Sequence, residues 1–148
     1  MAGNRLHYLT SDDWVLIKSK SIRRVFKLGD EIIRQGALSD SIFIIRRGEA
    51  SVELAAVETR AIVATLGRDD ICGDMAFLEK GRATAAVIAR EEEVEVDEIK
   101  AKDLQEIFEA FPRLASRFYH SLALILVRRL RDTSKQLASE LTLRKLRG

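Results

Sequence analysis

The segment between Ile71 and Val87 contains the residue types that can hold a phosphorylated sugar. Gly73 precedes a stretch with the length of a two-turn helix, whose first backbone N–H groups have no partner within the helix and can bind an anion. Asp74 falls in the first turn, where its carboxylate can accept hydrogen bonds from sugar hydroxyls. Arg82 can add a charge-assisted bond to the anion. These residues together favour a sugar phosphate as the ligand of this segment.

The same residues also have a simpler interpretation. A glycine before a short helix is common in loops that bind nothing, and Arg82 would then be an exposed loop residue. Cys72 is interpreted as a buried packing residue rather than a redox centre. The residues of this segment leave both interpretations open.

The composition argues against an enzyme. The chain has 148 residues, of which 47% are hydrophobic and 32% charged, and this suits one domain with a real core. The two histidines, His7 and His120, fall in the terminal helical regions. They match neither a strand-borne metal-ligand set nor a Ser-His-Asp arrangement. We therefore expect neither catalysis nor a bound metal.

Charge and cysteine content bear on location and partners. The net charge of +2 is too small to argue for nucleic acid or a membrane surface. No run of 18 apolar residues exists to span a bilayer, and a single cysteine suits a reducing cytoplasm. Residues 113–148 hold nine basic residues against two acidic ones. This basic tail permits electrostatic docking on an acidic body, but a solvated helix face is the favoured interpretation.

The elements that must position the segment are mostly short strands. Apolar and polar residues alternate in Ser51-Val52-Glu53-Leu54 and again in Glu93-Val94-Glu95-Val96. This alternation is typical of strands with one buried face. Glycines mark the breaks between such runs. About eight short strands predict a sandwich or jelly roll. The runs are Ile22–Phe26, Glu31–Arg34, Ser41–Ile45, Ala50–Leu54, Ala61–Leu66, Thr84–Ala89 and Glu93–Ile99.

Helices are predicted at both ends of these strands. Ser11-Asp12-Asp13 marks a helix start, and after Lys100 the apolar period becomes helical. A long helix is predicted from about Arg113. Within it, Leu126, Leu130, Thr133 and Leu137 are spaced as a short heptad seam, so we expect its far half to pair with a second chain. A monomer with a frayed C-terminal helix is the alternative.

The segment and its flanks resemble the cyclic-nucleotide-binding domain family. Gly73-Asp74-Met75-Ala76-Phe77 and Arg82-Ala83-Thr84-Ala85-Ala86-Val87 resemble the family's phosphate-binding cassette. Gly29–Gly36 and Ser41–Gly48 resemble its two glycine-marked hairpin strands. The resemblance implies a mainly β fold: an eight-stranded β jelly roll with a short N-terminal helix, a cassette helix and a long C-terminal helix. Residues 1–112 would form the β-roll with its flanking helices, and residues 113–148 the lid and dimerisation helix of the same domain.

The long helix is similar to that of the catabolite activator group within this family. The run Arg128-Arg129-Leu130-Arg131-Asp132-Thr133-Ser134-Lys135 carries the similarity. It implies that Thr133 contacts the adenine and that Ser134 reaches the nucleotide held by the partner subunit. Arg129 is an alternative cap for the base, and Thr133 is alternatively a seam residue bonded to its own helix.

Two departures from the family pattern affect the site. The family glutamate for the ribose 2′-hydroxyl is Asp74 here, which is one methylene shorter. Arg82 falls one residue early, so Ala83 takes the usual arginine position. A one-residue shift turns a strand side chain to the opposite face. Either a bulge restores Arg82 to the site, or backbone N–H groups of residues 73–76 hold the phosphate alone.

These observations predict a regulatory domain that binds cAMP, with cGMP as the second choice because Ala83 rather than a hydroxyl residue follows Arg82. The expected nucleotide contacts are Val63, Gly73, Asp74, Met75, Ala76, Arg82, Ala83, Thr84, Arg129, Thr133 and Ser134. Binding would close the C-terminal helix of a homodimer and act on an unknown downstream protein. The alternative is a degenerate domain that serves as a dimerisation or protein-interaction module. Only about ten residues follow Leu137, so we expect no DNA binding by this chain alone.

Overall fold

Four helices and eight strands follow one another within residues 4–148. The computed structural model describes residues 4–148. The helices are α1 (Ser11–Lys20), α2 (Asp74–Glu79), α3 (Ala101–Ala110) and α4 (Pro112–Arg147). The strands are β1 (Ile22–Lys27), β2 (Glu31–Ile33), β3 (Ser41–Arg47), β4 (Ala50–Ala55), β5 (Arg60–Leu66), β6 (Ile71–Cys72), β7 (Ala86–Ala89) and β8 (Glu93–Lys100).

The strands form two antiparallel sheets of four. One sheet has the order β1-β8-β3-β6, and the other has the order β2-β7-β4-β5. The predicted jelly roll with flanking helices is therefore confirmed. Strand β6 was absent from the predicted set of strands, because its two residues are too few to show a period. It pairs with β3 through Phe43 and Cys72, and this pairing fixes where the next residues begin.

Two hydrophobic clusters hold the molecule together. The cluster between the sheets includes Phe26, Phe43, Cys72 and Val96. A second cluster joins the first sheet to the helices, and it includes Leu104, Ile107 and Phe108 of α3. The two clusters divide the inward- and outward-facing residues of β3, as the period of two requires.

Capping explains where the first helix begins. Thr10 and Asp13 form a reciprocal capping box: each side chain accepts a hydrogen bond from the other residue's backbone N–H. Ile17 lies one turn further along and is buried in the helix-side cluster. The cap and this apolar contact seat α1 against the rest of the molecule.

The long helix α4 has two different halves. Its first half packs on the body through Leu114, Phe118, Leu122 and Ile125, which are all buried. From residue 130 onwards every residue is exposed. The exposed half carries five leucines: Leu130, Leu137, Leu141, Leu143 and Leu146. A 36-residue helix thus begins in the core and extends well beyond it. Across residues 4–148, none of the helices has the length and apolar character needed to cross a membrane.

Candidate functional site

The turn before α2 requires a glycine. Gly73 has φ of +85°, in the left-handed region that side chains rarely adopt. A Cβ at this position would lie 2.7 Å from the backbone oxygen of Ser41 on β3. Both constraints arise because β6 runs against β3 and the chain must then turn sharply into α2. Gly73 therefore sets the direction in which the first turn of α2 points.

Asp74, the first residue of α2, is paired with the long helix. Its side chain is only 3% exposed, although it carries a charge. The Arg129 guanidinium of α4 donates from Nη1 to Asp74 Oδ2 at 2.8 Å and from Nη2 to Asp74 Oδ1 at 3.4 Å. Such a two-point pair is among the stronger charge-assisted arrangements. It connects the cassette to α4 directly.

Asn4 holds the same guanidinium from a third side. Arg129 Nε donates to Asn4 Oδ1 at 2.8 Å. Asn4 was not predicted as a site residue, because it lies 125 positions from Arg129 and outside every recognised motif. Only the folded chain shows that the two meet.

Arg82 faces away from the β-roll interior. Its side chain is exposed, and Nη1 donates to the Gly36 backbone oxygen at 2.9 Å. The neighbouring Ala83 is 9% exposed and belongs to the cluster between the sheets. Backbone bonds join Ala83 to Gly36 and Ala37, which places this stretch in extended pairing beside the β2–β3 connection. The inward position at this point of the strand belongs to Ala83.

The other predicted cassette residues surround α2. Ala76 is buried on the inner side of the helix, and Met75 is exposed on its outer side. The Thr84 hydroxyl lies 3.9 Å from the Met75 sulfur, so this part of the predicted contact set is brought together. Val63 lies on β5 and is half exposed. It is the residue skipped in the pairing of β4 with β5, where the register shifts between Val52 and Glu53.

Thr133 and Ser134 lie on the exposed half of α4. They follow Arg129, which contacts Asp74, by about one turn of α4. Within residues 4–148, neither hydroxyl forms a hydrogen bond with the β-roll.

Cys72 is the last residue of β6 and lies directly behind Gly73. Burial raises the pKa of its thiol far above its usual range, and the nearby Asp74 carboxylate adds to this effect. A thiol in this state is not reactive. The position of Cys72 in the inter-sheet cluster agrees with its predicted packing role. In the part of the chain that the structure describes, no group of three or more potential metal ligands comes together.

A family model described as the cyclic nucleotide-binding domain matches residues 23–111, which is more than half of the chain. The chain is 33% identical over 142 residues to cyclic GMP-binding protein C of Dictyostelium discoideum, a match that covers 90% of this chain and 5% of that protein. It is 28% identical over 141 residues to the cyclic AMP receptor protein of Thermus thermophilus, covering 93% of this chain and 62% of that protein. The chain therefore spans less than two thirds of either relative.

Solved structures show the same fold. The Thermus thermophilus catabolite activator protein superposes with a TM-score of 0.76 at 26% identity, over 90% of this chain and 61% of that one. A cyclic nucleotide-binding domain from Methylobacillus flagellatus superposes with a TM-score of 0.81 at 16% identity, over 89% of this chain and 74% of that one. The second likeness bears on the fold alone.

Proposed function

This chain belongs to the cyclic nucleotide-binding domain family, and from that premise we propose that it is a sensor in which a cyclic nucleotide competes with α4 for the cassette. The family is regulatory rather than catalytic. The match over residues 23–111 includes the cassette but ends before α4, so the family model says nothing about the long helix. Coupling between the cassette and α4 is therefore part of our proposal and does not follow from the family match.

One observation carries the proposal: the Asp74 carboxylate is buried and engaged by Arg129 of the long helix. Asp74 occupies the cassette position that would accept a bond from the ribose 2′-hydroxyl. Because Asp74 is only 3% exposed and faces Arg129, we propose that a ribose reaches this carboxylate by displacing part of the guanidinium contact. Nucleotide binding and the position of α4 are then linked through a single side chain, and the ligand shifts α4 by its difference in affinity for the two arrangements.

The start of α2 is the proposed phosphate contact. The backbone N–H groups of a first helical turn have no partner within the helix, and Gly73 places no side chain beside them. Of the two arrangements that the one-residue shift allowed, we favour the one in which these N–H groups hold the anion without Arg82. The outward direction of Arg82 and the inward position of Ala83 support this choice.

Thr133 and Ser134 are the proposed base contacts. A threonine hydroxyl on a helix seam can accept a bond from an exocyclic amine without placing a charge in the interface. We propose cAMP ahead of cGMP, because the buried position after Arg82 is an alanine and offers no hydroxyl to a guanine. The relatives named above include one described as a cyclic GMP-binding protein and one as a cyclic AMP receptor, so both nucleotides belong in the test.

The exposed half of α4 is the proposed dimer contact. Leu130 is 68% exposed and Leu137 is 56% exposed, although both are large apolar residues. With Leu126 and Thr133 they form one seam at heptad spacing. Pairing of two such helices would cover this seam and bring Ser134 towards the site of the other subunit.

A degenerate interaction module is the second candidate, favoured by the same displacement of Arg82. A cassette without an inward guanidinium loses a charge-assisted bond to the phosphate, worth about 1.5–3 kcal/mol when fully formed. If the remaining contacts are too weak, the domain would act through dimerisation alone. A basic helix and a leucine seam would remain available for that role.

Calorimetric titration with cAMP and with cGMP separates the two candidates. A dissociation constant below a millimolar for either nucleotide, together with clearly weaker binding by Asp74→Asn, supports the sensor. The absence of binding by both nucleotides, together with a stable dimer by size exclusion and light scattering, supports the module. Light scattering with and without cAMP also shows whether the dimer responds to ligand. A chain that remains monomeric under both conditions contradicts the proposed dimer.

A further inference from the structure

We propose that Asn4 is a positioning residue for the nucleotide site: its side-chain oxygen holds the Arg129 guanidinium against Asp74 and so sets how readily a ribose displaces it. This inference rests on the proposed function of the cassette. It concerns a residue outside the matched range of residues 23–111 and outside every motif of the sequence.

The segment that carries Asn4 is fixed to the cassette side of the molecule. We call residues 4–10 the N-terminal strap. The Asn4 backbone oxygen accepts a bond from the Ile71 N–H at 2.9 Å. The backbones of Arg5 and Asp70 form an isolated antiparallel β-bridge. Leu6 is buried in the helix-side cluster. Asn4 is therefore tied to the strand that leads directly into Gly73 and Asp74.

The other end of the strap is fixed to α4. The Tyr8 N–H donates to the Ser121 hydroxyl at 2.9 Å, and the Tyr8 ring stacks on His120 with centroids 4.3 Å apart. These contacts lie about two turns before Arg129 on the same helix. The strap thus connects β6 to α4 independently of the Asp74–Arg129 ion pair. Asn4 belongs to the strap and also contacts that ion pair through Arg129.

The geometry at Arg129 divides its donors between two acceptors. Nη1 and Nη2 point to Asp74, while Nε points to Asn4. Rotation of the guanidinium away from Asp74 breaks the bond to Asn4 as well, because Nε is part of the same rigid plane. Asn4 therefore stabilises the ion-paired arrangement, and its oxygen acts against any ligand that needs Asp74.

Two substitutions at this position predict opposite effects on affinity. Asn4→Ala removes the acceptor, so cAMP or cGMP should bind about threefold to tenfold more tightly, in keeping with the loss of one bond to a charged group at a partly exposed site. Asn4→Asp places a full negative charge opposite Nε, holds the guanidinium more firmly, and should weaken binding by a similar factor. His7→Ala is the matched control, since His7 is an exposed strap residue whose ring contacts Tyr8 rather than Arg129.

The experiment is calorimetric titration of the full chain with cAMP and cGMP, repeated in an Arg129→Ala background. In that background Asn4→Ala should leave affinity unchanged within twofold, because Asn4 acts through the guanidinium. Thermal unfolding of each variant gives the second readout. A merely structural Asn4 would lower the unfolding temperature of both variants and leave their affinities equal to that of the unsubstituted chain.

Opposite shifts for Asn4→Ala and Asn4→Asp that disappear without Arg129 support the inference. Unchanged affinities, weaker binding by Asn4→Ala, or an effect that persists in Arg129→Ala would overturn it while leaving the proposed function standing. An unsubstituted chain that binds neither nucleotide removes the proposed function, and the inference falls with it.

Discussion

Two aspartates pair with arginines of α4 by the same chemistry, in two regions of the molecule. Asp13 of α1 is bound by Arg117 through two bonds of 2.7 Å, and Asp74 of α2 is bound by Arg129 at 2.8 and 3.4 Å. Both carboxylates are 3% exposed, and the side chains of the two arginines are 35% and 32% exposed. Charge, burial and pairing geometry are therefore closely matched.

The surroundings of the two pairs differ. Asp13 also accepts the Thr10 N–H and completes the cap of α1, so its oxygens serve a fixed local structure. The bonds from Arg117 hold the pKa of Asp13 below its ordinary value despite the opposing effect of burial. Asp74 instead follows a left-handed glycine at the proposed ligand site. The Asp13–Arg117 pair has only structural partners and is a permanent clamp, whereas under the proposed function a ligand would take the place of Arg129 at Asp74 and make that pair exchangeable.

The largest effect is expected from Asp74→Asn. The amide keeps the shape of the side chain but loses the charge, so the bond to a ribose hydroxyl weakens and cAMP affinity should fall about thirtyfold. Calorimetric titration gives the dissociation constant. Asp13→Asn is the matched control and should bind within twofold of the unsubstituted chain. Equal losses of cAMP affinity in Asp74→Asn and Asp13→Asn would contradict the distinction between a structural Asp13–Arg117 pair and an exchangeable Asp74–Arg129 pair.

The clamp is tested by stability. Asp13→Asn should lower the free energy of unfolding by about 2 kcal/mol, because a buried guanidinium bond and part of a helix cap are lost together. Urea denaturation followed by circular dichroism measures the change. Asp74→Asn should cost clearly less, since its partner Arg129 lies where α4 leaves the body. A larger loss of stability in Asp74→Asn than in Asp13→Asn would reverse the two roles.

An arginine at the inward cassette position should restore a phosphate contact. Ala83→Arg places the guanidinium on the face that Ala83 now occupies, and affinity for cAMP should rise about tenfold. The measurement is again calorimetric, with thermal unfolding to show that the variant is folded. Folded protein with unchanged or weaker binding would show that the cassette cannot use a side chain from this position.

Acid should reduce the stability difference between the unsubstituted chain and Asp13→Asn. The pKa of Asp13 is lowered in the folded chain, so its contribution is present above the ordinary value of 3.8 and is lost as the pH falls through the folded value. The difference in unfolding free energy should be constant between about pH 6 and 8 and should shrink below about pH 4. A difference that grows towards acid pH would contradict this assignment.

The smallest effect is expected from Arg82→Ala. Its side chain is exposed and contacts the Gly36 carbonyl from outside, so cAMP affinity should change by less than about twofold. Lys80→Ala, a nearby exposed cation, controls for the general loss of positive charge. A tenfold loss specific to Arg82→Ala would mean that this arginine turns inward when the nucleotide binds.

The sequence predicted most of the fold because its signals are local. Alternating residues such as Val94 and Val96 mark a strand by themselves, and glycines such as Gly48 mark turns. Strand β6 was missed because two residues have no period. The direction of Arg82 was left open because the sequence is compatible with either a bulge or a regular strand at this position. Only the backbone pairing of Ala83 with the β2–β3 connection distinguishes the two.

The cassette was also predictable as a motif, whereas its contacts were not. Arg129 was recognised as a candidate cap for the base, yet its bond to Asp74 depends on how α4 crosses the β-roll. That crossing is set by buried residues such as Phe118 and Ile125, far from the motif. Asn4 carried no signal at all, since a hydrogen bond between residues 125 positions apart leaves no local pattern.

The continuity of α4 makes it a lever. Arg129 lies just past Ile125, the last fully buried residue of the helix, and about 27 Å of unbroken helix follow it up to Arg147. A tilt of about 10° at that point would move the far end by about 5 Å, because the helix has no proline beyond Pro112 to bend it. Exchange of one hydrogen-bonding partner on a single carboxylate would in this way become a displacement large enough for a bound protein to sense.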